Sequence, residues 1–554
     1  MSNCRSFVLS EEQADLEWVF MGMTLASARA NGTPAPTFPY IYPSILPRSF
    51  KQGAGMSSRL VVVLSMCAIL SIPAFAQQPQ PDQVSLEPYT LATYDGQTHS
   101  AELGHLWVRE NRQKNSSRLI RVAFVRLKSS AVNPGSPIVY LAGGPGIPAI
   151  VMARVPVYYN LFETLRQVGD VILLDQRGSG MSSPNLNDCP AGGKLPADAF
   201  ATREKFIHAL AQTAGDCASF WRSKGVDLTA YNTEENANDI DDLRRALGAA
   251  KISLLGHSYG TELGLSVIRR HGDRVDRAVL ASVEGPGDHD TMPWILDLQL
   301  KKIARLAAAD PTVGKDFADL VSFFQADIER LQTHHATLTI TKHATKKPIQ
   351  VRVGAVALEF TVEQMLANGR AISTLPALLK SISVGDDSLL QRRIESMYND
   401  FDSGITLMGL TTDCAAPTPP ARVAQAQSEA RGSLFADVSR IDMQPEICNE
   451  ALGRSALGPE YFAPLSSDVP TLFLSGTLDP DTPPMKAERM RWGFSQSTMI
   501  VVENGFHETL PAPEVQSLVA DFLRGTDVKD RHITFEVPTF LSLDDAKKST
   551  QQRR

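Results

Sequence analysis

Two rhythms of apolar and polar residues run along this chain. Residues 103–109 and 119–127 (the latter LIRVAFVRL) place apolar side chains at every second position. That is the period of half-buried antiparallel strands, with the turn at 111–117 between them. Residues 137–141, 171–174, 252–255, 277–282, 469–475 and 499–502 are instead short, nearly continuous apolar runs. Such runs read as strands buried on both faces. Helix-like stretches separate them, at 158–168, 233–247, 261–270, 484–493 and 515–524. Thr233 is the expected N-cap of the second and Gly248 its stop. Strands alternating with helices predict an α/β fold, with a mostly parallel central sheet flanked by helices.

From about residue 288 to 461 this alternation ceases. Helix-like segments with Pro-rich joints take over, and 337–353 carries enough alternation for a small hairpin. This stretch reads as an inserted, mainly helical cap. The core is then split into 77–287 and 462–530, with 77–100 a polar lead-in and 531–554 an indistinct tail.

Composition narrows the picture. With 554 residues, 43% hydrophobic and 21% charged, the chain can bury a large core. A net charge of −7 with no basic block excludes a nucleic-acid partner. Residues 56–76 have the layout of a secretory signal peptide: Arg59, the apolar run 60–72, then Ala74 and Ala76 before polar residues. The run is too short for a membrane span, so none is expected after cleavage. A signal peptide belongs at a terminus. Met56 is therefore read as the true start and 1–55 as an upstream mis-called extension; a genuine extension with an internal anchor is the alternative. Periplasmic or secreted localisation follows. Cys4 and Cys67 fall in the discarded segments. Cys189, Cys217, Cys414 and Cys448 remain, an even number that suggests two disulfides with three possible connectivities. The sequence-local pairing Cys189–Cys217 and Cys414–Cys448 is taken here.

The candidate chemistry begins at Gly256-His257-Ser258-Tyr259-Gly260, a G-x-S-x-G pattern between a strand and a helix. In that context it is a nucleophile elbow. Glycines are required on both sides because side chains there would meet the neighbouring strand and helix. A serine hydroxyl needs a base, and the base an orienting carboxylate. Asp479 follows one later strand and His507 the next, so both sit at the sheet edge where the elbow emerges. Asp481 is the reserve for Asp479, and His257 is read as structural. The oxyanion donors are expected to be the N–H of Tyr259 and that of Gly144, to within one residue, in the Gly143-Gly-Pro-Gly146 loop. Asp175-Gln-Arg-Gly178 is expected to buttress that loop through an Arg–carboxylate pair of its own. Glu284, at the end of another strand, is a candidate anchor for a substrate amine. No cofactor or metal is implied.

Taken together, GGPG (143–146), DQRGSGMSS (175–183), GHSYG (256–260), GTLDPDTPP (476–484) and NGFH (504–507) resemble the proline iminopeptidase and tripeptidyl aminopeptidase branch of the α/β-hydrolases. The likeness runs from about 103 to 523 and is least clear in the cap. Leu141-Ala142 and Asn504-Gly505-Phe506 depart from the usual pattern of that branch. The resemblance implies an α/β-hydrolase fold and an exported serine peptidase that acts on short peptides near a free N-terminus. An esterase or amidase acting on small molecules with the same triad is the alternative. A non-catalytic binding module is disfavoured because all three triad candidates are present. Oligomeric state is left open.

Overall fold

The structure, a computed structural model, describes residues 80–551 apart from 191, 193, 439 and 453–456. The expected extension 1–55 and signal segment 56–76 lie outside the described residues. The strands are β1 (Val84–Ala92), β2 (Thr98–Arg109), β3 (Leu119–Leu127), β4 (Ile138–Leu141), β5 (Val171–Asp175), β6 (Ile252–His257), β7 (Val275–Ala281), β8 (Ala336–Lys342), β9 (Lys347–Val353), β10 (Thr471–Gly476), β11 (Ser497–Glu503) and β12 (Ile533–Thr534).

The large sheet runs β1-β2-β3-β5-β4-β6-β7-β10-β11-β12. Pairing is antiparallel from β1 through β3 to β5 and parallel from β5 to β12. Every residue of β4, β5, β6 and β10 is buried, which is why these strands read as unbroken apolar runs. Alternate residues feed two cores. Leu255, Val279 and Leu474 pack on one face, Leu254, Leu280 and Phe473 on the other. The chain winds from β4 to β5 in one direction and reaches β6 on the other side of β4. The carboxyl ends of β4 and β6 therefore flank the crevice where open α/β sheets bind ligands.

Between β7 and β10 the chain forms helices and the β8–β9 hairpin, with Ala336 opposite Val353. These elements share a core of their own, including Leu300, Phe324, Val356 and Leu378. That core extends beyond 288–461. Phe200 and Phe206 enter it from the segment before the elbow, and Phe540 and Ala546 from the C-terminal end. Residues 531–554 are thus more than a tail: Ile533 pairs with Val502 at the sheet edge, and a helix covers Leu543–Gln551.

Three local expectations need correction. The lead-in 77–100 contains β1, an edge strand whose side chains are mostly solvated and which tolerates Pro88 for that reason. The helix at 233 is capped by Asn232 and not by Thr233: Asn232 Oδ1 accepts from Glu235 N at 2.9 Å. Arg177 does not pair within its own motif, as described below.

Cys189–Cys217 and Cys414–Cys448 are bonded, with Cα separations of 5.4 and 5.6 Å. The first ties the loop-rich segment after β5 to the helix Arg203–Ser223. The double substitution Cys189→Ala/Cys217→Ala is expected to cost about 2–4 kcal/mol. The melting temperature of oxidised protein falls accordingly; an unchanged value contradicts this role. Among the described residues no helix is long and apolar enough to cross a membrane.

Candidate active site

β6 delivers Ser258 into a left-handed conformation, φ 54° and ψ −129°, directly before the helix Tyr259–His271. A non-glycine residue there is strained, and the strain lifts the hydroxyl above the strand end. The turn leaves no room for side chains on either flank. A Cβ on Gly260 would lie 1.9 Å from the Leu141 carbonyl oxygen, and one on Gly256 would lie 2.5 Å from that of Gly260. Thr261 ties the turn down: its hydroxyl donates to the Ser258 carbonyl at 2.7 Å and accepts from Glu284 N at 2.8 Å.

The loops after β10 and β11 are joined by Thr477 N donating to Val502 O and Leu478 N to Gly505 O, at 3.0 and 2.8 Å. This brings Asp479 to His507, with Oδ2 3.0 Å from Nδ1. Asp479 Oδ1 accepts the N–H groups of Asp481 and Thr482, both at 3.0 Å, and the Thr482 hydroxyl donates to Oδ2. Asp479 is therefore an Asx-turn residue and a partner of the histidine at once. Burial alone would raise its carboxyl, but the His507 charge and the Thr482 donors hold it below the usual value. Burial alone would likewise lower His507. The Asp479 carboxylate outweighs that and makes the imidazole more basic than usual. Asp481 makes no hydrogen bond to the His507 ring; its carboxylate reaches the Thr291 hydroxyl at 3.4 Å.

His257 Nε2 meets the His507 carbonyl at 3.2 Å, which Ser282 Oγ also reaches, at 2.7 Å. His257 thus holds the loop that carries His507. Ser258 and His507 line one cavity of about 490 Å³. The Ser258 hydroxyl donates to Glu284 Oε1 at 3.3 Å. Ser258 and His507 share the cavity without a hydrogen bond between them, and in unliganded serine hydrolases that bond often forms only with substrate.

Gly143 lies against the serine: a Cβ there would be 2.8 Å from Ser258 Cβ. Gly144 turns through φ 115°, and both glycines line the cavity. Tyr259 is the first residue of its helix, so its N–H has no partner within the helix and is available to a ligand. The glycine loop is braced from β5, with Gln176 Nε2 donating to the Ala142 carbonyl at 3.0 Å. Asp175 accepts from Ile150 N and Met181 N at 3.0 and 2.8 Å. Arg177 instead forks onto Asp239 of the helix Thr233–Ala246, with both contacts at 2.7 Å. The arginine buttresses the loop from a neighbouring helix.

Apart from Glu284 and Asp481, sequence reasoning missed the acidic wall. Glu284, Asp290, Glu363, Asp413, Asp481 and Glu508 line the cavity, and Arg370 is the one arginine or lysine among its described lining residues. Burial pushes the Glu284 carboxyl up despite the opposing pull of Lys486. His289, also in the wall, would be lowered by burial, but Asp290, Asp413, Glu262 and Glu284 carry it up to about 9. It is therefore cationic and offsets part of this charge. Lys486 Nζ donates to the carbonyls of Asp288 and Asp290, at 2.7 and 3.3 Å, and pins the loop that presents His289 and Asp290. No periodicity marks these residues, because they come from loops and cap helices. Asp479, Asp481 and His507 present ligand atoms within 4.8 Å of one another. Both Asp479 oxygens already accept hydrogen bonds, so the group is satisfied as it stands.

The α/β-hydrolase fold family matches residues 136–511, and the chain belongs to that family. It is 32% identical over 277 residues to the tripeptidyl aminopeptidase of Streptomyces coelicolor, covering 46% of this chain and 48% of that protein. It is 29% identical over 173 residues to the serine protease Hip1 of Mycobacterium tuberculosis, covering 30% and 32%. The chain thus matches about half the length of these curated relatives, or less. A crystal structure of a variant meta-cleavage product hydrolase, CumD, matches with a TM-score of 0.33 and 14% identity over 74% of this chain and 96% of that one.

Proposed function

We propose that the protein is an exported serine peptidase that hydrolyses short peptides from a free N-terminus through an acyl-enzyme on Ser258. The observation that carries this reading is that Ser258 and His507 line one cavity while Asp479, buried behind it, bonds His507, the three coming from separate strand ends. His507 takes the Ser258 proton as Oγ attacks the substrate carbonyl, while Asp479 holds the ring with its other nitrogen facing the serine. The N–H groups of Tyr259 and Gly144 stabilise the oxyanion. Collapse breaks the peptide bond, and His507 passes the proton to the departing amine. Water, deprotonated by His507, then releases the acyl group and restores Ser258. The same groups would cleave a small ester or amide.

The acidic wall favours substrates that carry an amine. A protonated α-amino group would favour the ionised form of Glu284, which burial opposes, and Glu284 stands beside the nucleophile to receive it. Glu284→Gln is expected to lower kcat/KM for free-amine peptides about 10- to 100-fold relative to N-acetylated ones. Kinetics on matched pairs of peptides read the ratio directly; an unchanged preference for free amines removes Glu284 from this role. The disulfides support an oxidising compartment, periplasmic or secreted. Fractionation of cells, with N-terminal sequencing of the exported chain, tests that: Gln77 as first residue supports cleavage after Ala76, and retention in the cytoplasm contradicts export.

A further inference from the structure

A second cavity, of about 260 Å³, opens off the catalytic one inside the cap. Gly144, Pro145, Asp290, Gln364 and Asp413 line both and form the throat between them. The walls beyond the throat are apolar. Phe206, Phe360 and Phe401, from three separate helices, pack edge to face or tilted, with centroids 5.1 to 5.7 Å apart. Leu410 and Ile447 complete the wall, and the Cys414–Cys448 disulfide ties their two helices together. The charged residues along one edge have partners within the cap: Arg393 Nη2 donates to Thr374 Oγ1 at 3.1 Å, and Asp400 accepts from Ser396 at 3.3 Å.

Position relative to the triad decides which part of a substrate this chamber faces. The departing group takes its proton from His507, so it leaves on the His507 side. His507, Phe506 and Glu508 line the catalytic cavity but not the side chamber. The chamber opens instead across the Gly144–Pro145 loop, on the side of the acyl group. Its volume falls short of the roughly 300–1,000 Å³ that encloses a whole drug-sized ligand, and suits a single side chain.

We propose that the chamber walled by Phe206, Phe360 and Phe401 is an acyl-side specificity subsite that takes a large apolar side chain, such as that of Leu, Met or Phe, from the residue whose carbonyl Ser258 attacks. This rests on the serine-hydrolase reading above. A side chain entering it leaves water for an apolar, aromatic surface, whereas glycine or alanine leaves the chamber unfilled. Selectivity therefore arises beyond the throat, at side chains that do not belong to the triad.

The test is a series of p-nitroanilides with Gly, Ala, Leu or Phe as the acyl residue, presented singly and as the last residue of a tripeptide. p-Nitrophenyl acetate and 3-phenylpropionate run in parallel. Rates are expressed per site labelled by a small fluorophosphonate. The wild-type protein is expected to favour the large acyl group by about tenfold or more in kcat/KM. Leu410→Trp fills the chamber, and the large-to-small ratio is expected to fall by about the same factor. Phe360→Ala widens it and is expected to raise the rate with a naphthylalanyl p-nitroanilide relative to the phenylalanyl one, so the inference rests on the two variants together. If both variants label normally yet keep the wild-type ratios, the subsite is overturned. If the wild-type protein neither labels nor cleaves the acetate ester, the Ser258 reading fails first, and that outcome is distinct.

Discussion

Ser258→Ala is expected to reduce hydrolysis of any accepted peptide or ester by about 10⁴-fold or more, with little change in melting temperature. The size follows from the covalent role. Without Oγ no acyl-enzyme forms, and only the oxyanion donors and substrate positioning still act on a water molecule. Stability should hold because the backbone of the elbow is kept by its surroundings. Ser258 N donates to Ala281 O, Thr261 holds the carbonyl, and the flanking glycines admit no other packing. The hydroxyl's own bond, to Glu284, is a long one at 3.3 Å. Steady-state kinetics with a thermal melt separate the two effects. Residual activity within tenfold of wild type would place the nucleophile elsewhere.

Asp479→Asn is expected to cost about 10⁴-fold in kcat, close to the effect of losing the serine. The substitution keeps the two backbone bonds to Oδ1, but an amide nitrogen in place of Oδ2 can accept neither from the imidazole N–H nor from the Thr482 hydroxyl. An amide N–H facing Nδ1 forces the imidazole proton onto Nε2, the nitrogen that must accept from Ser258. The ring also loses the carboxylate that makes it basic. Asp481→Asn is the matched comparison, because Asp481 lies in the same turn without a hydrogen bond to the ring. Its effect should stay within about tenfold. Kinetics of the two variants side by side decide between them; the opposite order of effects would make Asp481 the orienting acid.

Much of this site was legible in the sequence because each part obeys a local rule. The elbow needs a glycine at 256 and at 260 for steric reasons that any strand–turn–helix crossing shares. Asp479 and His507 each follow a buried run, and buried runs in a parallel sheet end on one edge. The Cys189–Cys217 and Cys414–Cys448 pairs are close in sequence and close in space. What stayed hidden depends on partners distant in sequence. Arg177 meets Asp239 across 62 residues, and nothing within Asp175-Gln-Arg-Gly178 announces it. β1 was missed because an edge strand exposes both faces and shows little alternation. Asn232 and Thr233 are both capping types, and only the backbone chooses between them. The part of 531–554 that packs does so through a few widely spaced apolar residues, Ile533, Phe540 and Ala546, too sparse to form a pattern. The aromatic side chamber draws Phe206, Phe360 and Phe401 from three helices far apart in sequence, and no local pattern joins them.

The most direct test of the account is to react the purified protein with a small fluorophosphonate and map the adduct by mass spectrometry. One phosphonyl group per chain is expected, on the peptide that contains Ser258, and it should be absent when His507 is replaced by Ala. An adduct on another residue, or a protein that stays unmodified while hydrolysing its substrate, would contradict it.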